Sequence, residues 1–244
     1  MKPNIDVFIN AIAFREDDVR DATVVVLDVL RACSTIQTAL ENGANGVIPV
    51  SDSEDPGKYT RLLDPEKILL CGEKNGRKVE GFHLGNSPFE YTKEIVNGKT
   101  LIFKTSSGTR AITKSTVAKK TIIGSFLNIS AVVEMLLERN DPRTMLVCAG
   151  WRNRLSLEDL LCAGAITYQI YGRKLPEDAT DGAKLAYGLY EKYRKNVDAP
   201  IKTSSHAKRL RDMGFEKDLE YCTRIDLYSS VPVMRDGLIT LKHT

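Results

Sequence analysis

The chain is 244 residues long, 42% hydrophobic and 27% charged, with a formal net charge of +3. It is long enough to bury a sizeable core, and its composition is that of an ordinary globular protein. No run of about 18 apolar residues offers a membrane span, and the basic runs (Lys119-Lys120, Arg152/Arg154, Lys208-Arg209 with Arg211) are too short and dispersed for a nucleic-acid surface.

The N-terminus carries Asp6 early and has no long apolar core, so no signal peptide is read there. Residues 4–9 read as a short strand. Residues 22–29 form a buried strand in which five apolar residues, Val24 to Leu27 and Val29, surround Asp28. A helix over 34–42 closes at Asn42-Gly43. Gly46 to Val50 is the next strand, and this strand–helix–strand spacing argues for a parallel sheet. The turn-rich stretch 51–57 precedes a short helix near 58–63 and a strand from Lys67 to Cys71. Residues 81–88 read as a loop and 88–96 as helical. Thr100 to Phe103 is a strand, and Thr105-Ser106-Ser107-Gly108-Thr109-Arg110 opens a helix. A strand at 120–123 leads through Gly124 to Asn128 into a helix over 128–139. Met145 to Ala149 is a strand, followed by Gly150-Trp151-Arg152-Asn153-Arg154 and a helix with Ser156 and Asp159 in an S-x-x-D capping pattern. Helices are expected at 181–195, 204–213 and 216–222, with strand pieces at 231–233 and 237–241.

A strand, a polar turn and a helix therefore recur at 28–35, 103–110, 122–129 and 147–159. In a parallel sheet these four crests would converge on one edge and build a site. The fold class expected is α/β: a mostly parallel sheet with helices on both faces, Rossmann-like and three-layered, with a C-terminal α/β extension. The chain is read as one unit, 1–244, divisible near residue 175 into a core and that extension.

Asp28 is a candidate metal ligand or nucleophile, because a carboxylate beside apolar residues is costly unless used or paired; capping the next turn is the plain alternative. Arg31 is either its ion-pair partner or a phosphate clamp. Cys33 at a helix N-terminus invites a nucleophilic reading, but no His lies near in sequence, and packing is preferred. Ser34 and Thr35 are read as helix caps that also donate to an anion. Glu73 is a candidate second metal carboxylate, and Asp28 with Glu73 would suffice for Mg²⁺, which keeps waters and substrate oxygens. Ser107, Gly108, Thr109 and Arg110 resemble an anion cradle without a Walker loop. Ser125, Asn128, Arg152 and Arg154 would complete the pocket. Asp159 is explained by capping more simply than by metal. Of the three histidines, His83 and His206 are candidates for acid–base work, although a loop histidine is ordinarily only hydrogen-bonded; His243 is the third. The five cysteines, Cys33, Cys71, Cys148, Cys162 and Cys222, form no CxxC pair, which suits a reduced, cytoplasmic setting.

The segments DVLRACSTIQTALENGA, CGEKNGRKVEGFHLGNSPFEY, SSGTRAI, IGSFLNISAV and CAGWRNRLSLEDLLCAGAI, in this order, resemble the 2-phosphosulfolactate phosphatase (ComB) family. The likeness runs from about residue 24 to 170, and more weakly through SSHAKRLRDMGF and VPV. It implies a Mg²⁺-dependent phosphatase that converts 2-phospho-3-sulfolactate to 3-sulfolactate and phosphate, a step of coenzyme M biosynthesis in methanogens. The DxDx[TV] signature of haloacid-dehalogenase-type phosphatases is absent, since Val29-Leu30 follow Asp28, and no CxxxxxR loop follows Cys33. The expected partner is a small anionic phospho- or sulfo-acid, with no nucleic acid and no membrane; a homodimer is compatible with this. Two other readings stay open: a phosphatase for another small phospho-acid, and a non-catalytic binder of a sulfonated or phosphorylated metabolite.

Overall fold

Successive residues of the strand Thr23–Leu27 enter two different hydrophobic cores. Val24 and Val26 pack with Ile36, Leu40 and Ile112, whereas Val25 and Leu27 pack with Val132, Leu136 and Ile166. Side chains alternate across a strand, so both faces of this sheet are covered by helices, and the continuous apolar run follows from burial on both sides. The structure is a computed structural model that describes residues 2–51, 54–139 and 141–241. His243 and part of the 51–57 stretch lie outside the described residues.

The strands are β1 (Asn4–Phe8), β2 (Thr23–Leu27), β3 (Gly46–Pro49), β4 (Ile68–Lys74), β5 (Arg77–Lys78), β6 (Thr100–Lys104), β7 (Lys120–Gly124), β8 (Arg143–Cys148), β9 (Pro232–Arg235) and β10 (Leu238–Leu241). They form one sheet in the order β1-β8-β2-β7-β9-β10-β3-β6-β4-β5. Two parallel runs, β1-β8-β2-β7 and β3-β6-β4, make up most of it. The C-terminal hairpin β9-β10 lies between them, paired antiparallel to β7 on one side and to β3 on the other.

This arrangement corrects one expectation. Three antiparallel contacts separate the two parallel runs, so their C-terminal ends do not share an edge by parallel pairing. They meet in another way. The junction of β10 with β3 is the single pair Ile239–Val47. Residues that follow β4 and β6 and residues that follow β2 and β8 line one cavity.

The fourth crest, after β7, goes elsewhere. The backbone N–H groups of Asp226 and Tyr228 donate to the carbonyls of Phe126 and Leu127 at 3.0 and 2.9 Å. This crest is therefore covered by the C-terminal segment. The same segment explains the helix Ala32–Glu41, whose residues from Ala32 to Leu40 are all buried. One side of the helix packs on the sheet, while Gln37 donates to Ser230 Oγ at 2.9 Å and Thr38 shares a hydrogen bond with the Tyr221 hydroxyl at 3.0 Å.

Candidate active site

Asp28 follows β2 and occupies the start of the 32–41 helix itself. Its Oδ1 accepts from Ala32 N–H at 3.2 Å, and its carbonyl accepts from Cys33 N–H at 2.9 Å. Amides at the start of this helix are thus taken by this aspartate, a favourable place for a carboxylate. Asp28 is only 8% exposed. Burial pushes its carboxyl up to about 6, with repulsion from Glu73 and Glu158 adding to the rise and His206 and the Ala32 amide opposing it. The crest before the helix Gly108–Lys114 presses on it. A Cβ at Gly108 would stand 2.6 Å from Asp28 Oδ2 and 2.5 Å from Ala32 Cβ, so only glycine permits this approach.

Two further carboxylates fasten the crests together. Asp159 accepts from Val29 N–H at 2.8 Å and from Gly150 N–H at 3.1 Å, which ties the ends of β2 and β8. It does not complete the expected capping pattern; Ser156 is the N-cap residue but makes no side-chain cap bond. Both oxygens of Asp159 already have partners, and burial together with the Asp28 charge raises its pKa well above the usual range. Glu73, 9% exposed, accepts from Gly76 N–H at 2.5 Å and Ser106 N–H at 2.7 Å. It thus joins the ends of β4 and β6 while standing on the wall of the same cavity as Asp28.

That cavity measures about 220 Å³, and its wall also carries Arg31, Asn86, Ser107, Arg110, Arg152, His206 and Arg209. Arg31 is not paired with Asp28. Its Nη1 lies 2.5 Å from Asp218 Oδ2, Nη2 donates to Gly76 O at 3.2 Å, and the guanidinium stacks 4.1 Å from the Phe215 ring centre. Ser87 Oγ donates to the other oxygen of Asp218 at 2.7 Å, so the buried pair is satisfied on both sides. Arg110 donates to Asn153 Oδ1 at 2.9 Å. Trp151 and Arg154 exchange two backbone hydrogen bonds of 3.0 Å around Arg152 and Asn153, whose φ angles are 51° and 61°. This tight two-residue turn brings Arg152 to the cavity and leaves Arg154 off its wall.

Of the residues singled out from the sequence, Asp28, Arg31, Glu73, Ser107, Arg110, Arg152 and His206 therefore line one cavity, with Gly108 packed directly behind Asp28. The others stand apart. Ser34 Oγ donates to Val29 O at 2.9 Å and Thr35 Oγ1 to Asn86 O at 3.0 Å, inside the core. Thr109 Oγ1 donates to Thr105 O at 2.9 Å and pins its own crest. Ser125 and Asn128 cap each other's backbone, and Asn128 Nδ2 donates to Gln37 Oε1 at 2.8 Å. Cys33 is buried, its thiol against Val26 O at 3.4 Å, and burial drives its pKa well upward, which suits packing rather than nucleophilic attack. His83 accepts from Leu70 N–H at 2.9 Å on the exposed side of the 81–88 loop.

With this geometry in place, the likeness to known proteins is specific. Residues 10–237 match the 2-phosphosulpholactate phosphatase family. The chain belongs to the 2-phosphosulfolactate phosphatase family. It is 47% identical over 220 residues to a probable 2-phosphosulfolactate phosphatase of Thermotoga petrophila, covering 90% of this chain and 92% of the relative. A protein of the same designation from Caldanaerobacter subterraneus is 40% identical over 227 residues, 93% of either chain. One from Clostridium acetobutylicum is 40% identical over 235 residues, 96% of this chain and 99% of the relative. Among the described residues no helix is long and apolar enough to cross a membrane.

Within this 2-phosphosulfolactate phosphatase chain, four cavity features were not singled out as site residues: Asn86, Asp218 behind Arg31, Arg209, and the pairing of Glu158 with His206. Asn86 sits in the quoted GFHLGNSP loop, and its Oδ1 is buried without a hydrogen-bond partner. A polar amide in a loop is too common to signal this. Asp218 and Arg31 are 187 residues apart, so no local pattern links them.

Proposed function

We propose that the chain is a Mg²⁺-dependent phosphatase that hydrolyses 2-phospho-3-sulfolactate to 3-sulfolactate and phosphate, the step that supplies sulfolactate to coenzyme M biosynthesis. The observation that carries this reading is one small cavity lined by two carboxylates, Asp28 and Glu73, and by four guanidinium groups, those of Arg31, Arg110, Arg152 and Arg209. A cavity of about 220 Å³ lies below the range of roughly 300–1,000 Å³ usual for drug-sized ligands. It suits a three-carbon acid. Four guanidinium groups suit a substrate bearing phosphate, carboxylate and sulfonate together.

The donor set fits Mg²⁺. Asp28 and Glu73 offer hard carboxylate oxygens, and Asn86 Oδ1 is a buried carbonyl-type oxygen with no partner among the described residues. No group of three or more His, Cys, Asp or Glu side chains is clustered for a metal among the described residues, and Mg²⁺ needs fewer, because waters and phosphate oxygens complete its shell. Asp28, Glu73 and Asn86 would hold it. Bound there, it would offset the charge that develops on the transferring phosphoryl group.

The chain's own residues do the rest. Arg31, fixed by Asp218, Gly76 and Phe215, presents its charge without conformational loss. Arg152 and Arg110, on neighbouring crests, bind the outer anionic groups and orient the phosphate toward Asp28.

A panel of 2-phosphosulfolactate, phospholactate and phosphoglycolate, assayed for phosphate release with Mg²⁺ and with EDTA, tests the reading. The highest kcat/KM should fall on phosphosulfolactate, EDTA should abolish release, and calorimetry should detect Mg²⁺ binding that Asp28→Asn weakens. Equal or better turnover of either sulfonate-free acid would overturn the substrate assignment.

A further inference from the structure

His206 stands on the cavity wall, near the start of the helix Ser205–Asp212. Ser204 Oγ caps that helix by accepting from Ala207 N–H at 3.1 Å. The imidazole is held on two sides. Its Nδ1 lies 2.7 Å from Glu158 Oε1, and its ring stacks on Trp151 with centroids 5.0 Å apart and planes within 12°. Glu158 is wholly buried, and its Oε2 has no hydrogen-bond partner. Its neighbour Asp159 fastens β2 to β8, so the carboxylate is carried on a rigid part of the frame.

A buried carboxylate with one oxygen unpartnered is costly unless it is paired or protonated. Burial opposes ionisation of Glu158, yet the bond and charge of His206, together with hydrogen bonds from Ser156 and its own backbone amide, hold its carboxyl below the usual range. An ionised carboxylate can only accept, so Nδ1–H donates to Glu158, and Nε2 is the ring nitrogen left to carry a transferable proton. The other charged groups around the ring are Asp28 on the crest after β2, Arg209 one turn along the same helix, and Arg152, which flanks Trp151 at 5.0 Å.

We propose that His206 is the proton donor to the leaving alcohol oxygen, and that Glu158 is the positioning residue that keeps it protonated and aimed. The proposal rests on the phosphatase reading above. As the ester P–O bond breaks, its electron pair passes to the bridging oxygen, which takes the proton from Nε2. The oxygen of the attacking water forms the new P–O bond, and the protons of that water leave with phosphate. The neutral imidazole regains its proton from solvent. A secondary alkoxide is a poor leaving group, so a positioned acid is worth about 10²–10⁴-fold in rate.

The test compares 2-phosphosulfolactate with 4-nitrophenyl phosphate, whose leaving group needs no proton, in wild type, His206→Gln and Glu158→Gln. On phosphosulfolactate, His206→Gln should lose about 10²–10⁴-fold in kcat/KM, and far less on the aryl ester, with inhibition by inorganic phosphate little changed. On phosphosulfolactate, wild-type kcat/KM should fall on the alkaline side, His206→Gln should be flat there, and Glu158→Gln should move the fall to lower pH. Equal losses on both esters, or an unchanged alkaline limb in His206→Gln, would overturn the assignment. If wild type does not turn over the aryl ester, the pH profiles decide alone. Failure of the phosphatase reading shows in the wild type, which would then release no phosphate from either ester; failure of this inference shows only in the variants.

Discussion

Asp28 illustrates how a single residue can work against the fold that carries it. Its carboxyl titrates near 6 rather than at the ordinary 3.8, chiefly because it is buried. A raised carboxyl pKa favours the folded state in the protonated form. That contribution is complete below pH 3.8 and is lost as pH rises through 6. Asp28→Asn stays neutral at every pH and can still accept from Ala32 N–H. In EDTA at pH 8 it should therefore be more stable than wild type by about 2–3 kcal/mol in urea unfolding, and the gain should vanish near pH 3.5. A variant less stable at pH 8 would contradict the burial argument. Asp28 was legible in the sequence because one charge interrupts an unbroken apolar strand. Its neighbour Arg31 was legible as functional but not as Asp218's partner, and His206 was legible only as a candidate. Tertiary pairs across 48 or 187 residues leave no local trace.

At the scale of elements, the site is made by crests pressed together, and Gly108 is the tightest point between them. Alanine is ordinarily the better helix residue by about 1 kcal/mol, yet here its Cβ would meet Ala32 Cβ and Asp28 Oδ2 inside 3 Å. Gly108→Ala should cost about 1–3 kcal/mol of stability and should lower kcat by displacing the 103–110 crest from Asp28. A stable, fully active variant would show that the crests do not depend on that contact. The elements themselves were readable: hydrophobic runs and turn residues locate nearly every strand and long helix. Crest function was less readable, because a polar turn after a strand serves equally well to cover a substrate or to dock another part of the chain. The Ser125–Asn128 turn does the second. The S-x-x-D pattern at Ser156 misled for a related reason: Asp159 accepts from the Val29 and Gly150 amides at the ends of β2 and β8 instead of from the N-cap.

Across the whole molecule, the last strands hold the two parallel runs together. β9 and β10 were readable as strand pieces, but nothing in their sequence says that they insert between β7 and β3, more than 100 residues earlier. Removing residues 229–244 should expose two strand edges in the middle of the sheet and abolish cooperative unfolding; a soluble truncation with the wild-type midpoint would contradict the topology. The most direct test of the account is steady-state phosphate release from 2-phosphosulfolactate with Mg²⁺, comparing wild type with Asp28→Asn. Mg²⁺-dependent release by the wild type and a loss of at least about 10³-fold in the folded variant are expected; near wild-type turnover by Asp28→Asn would contradict the role given to Asp28.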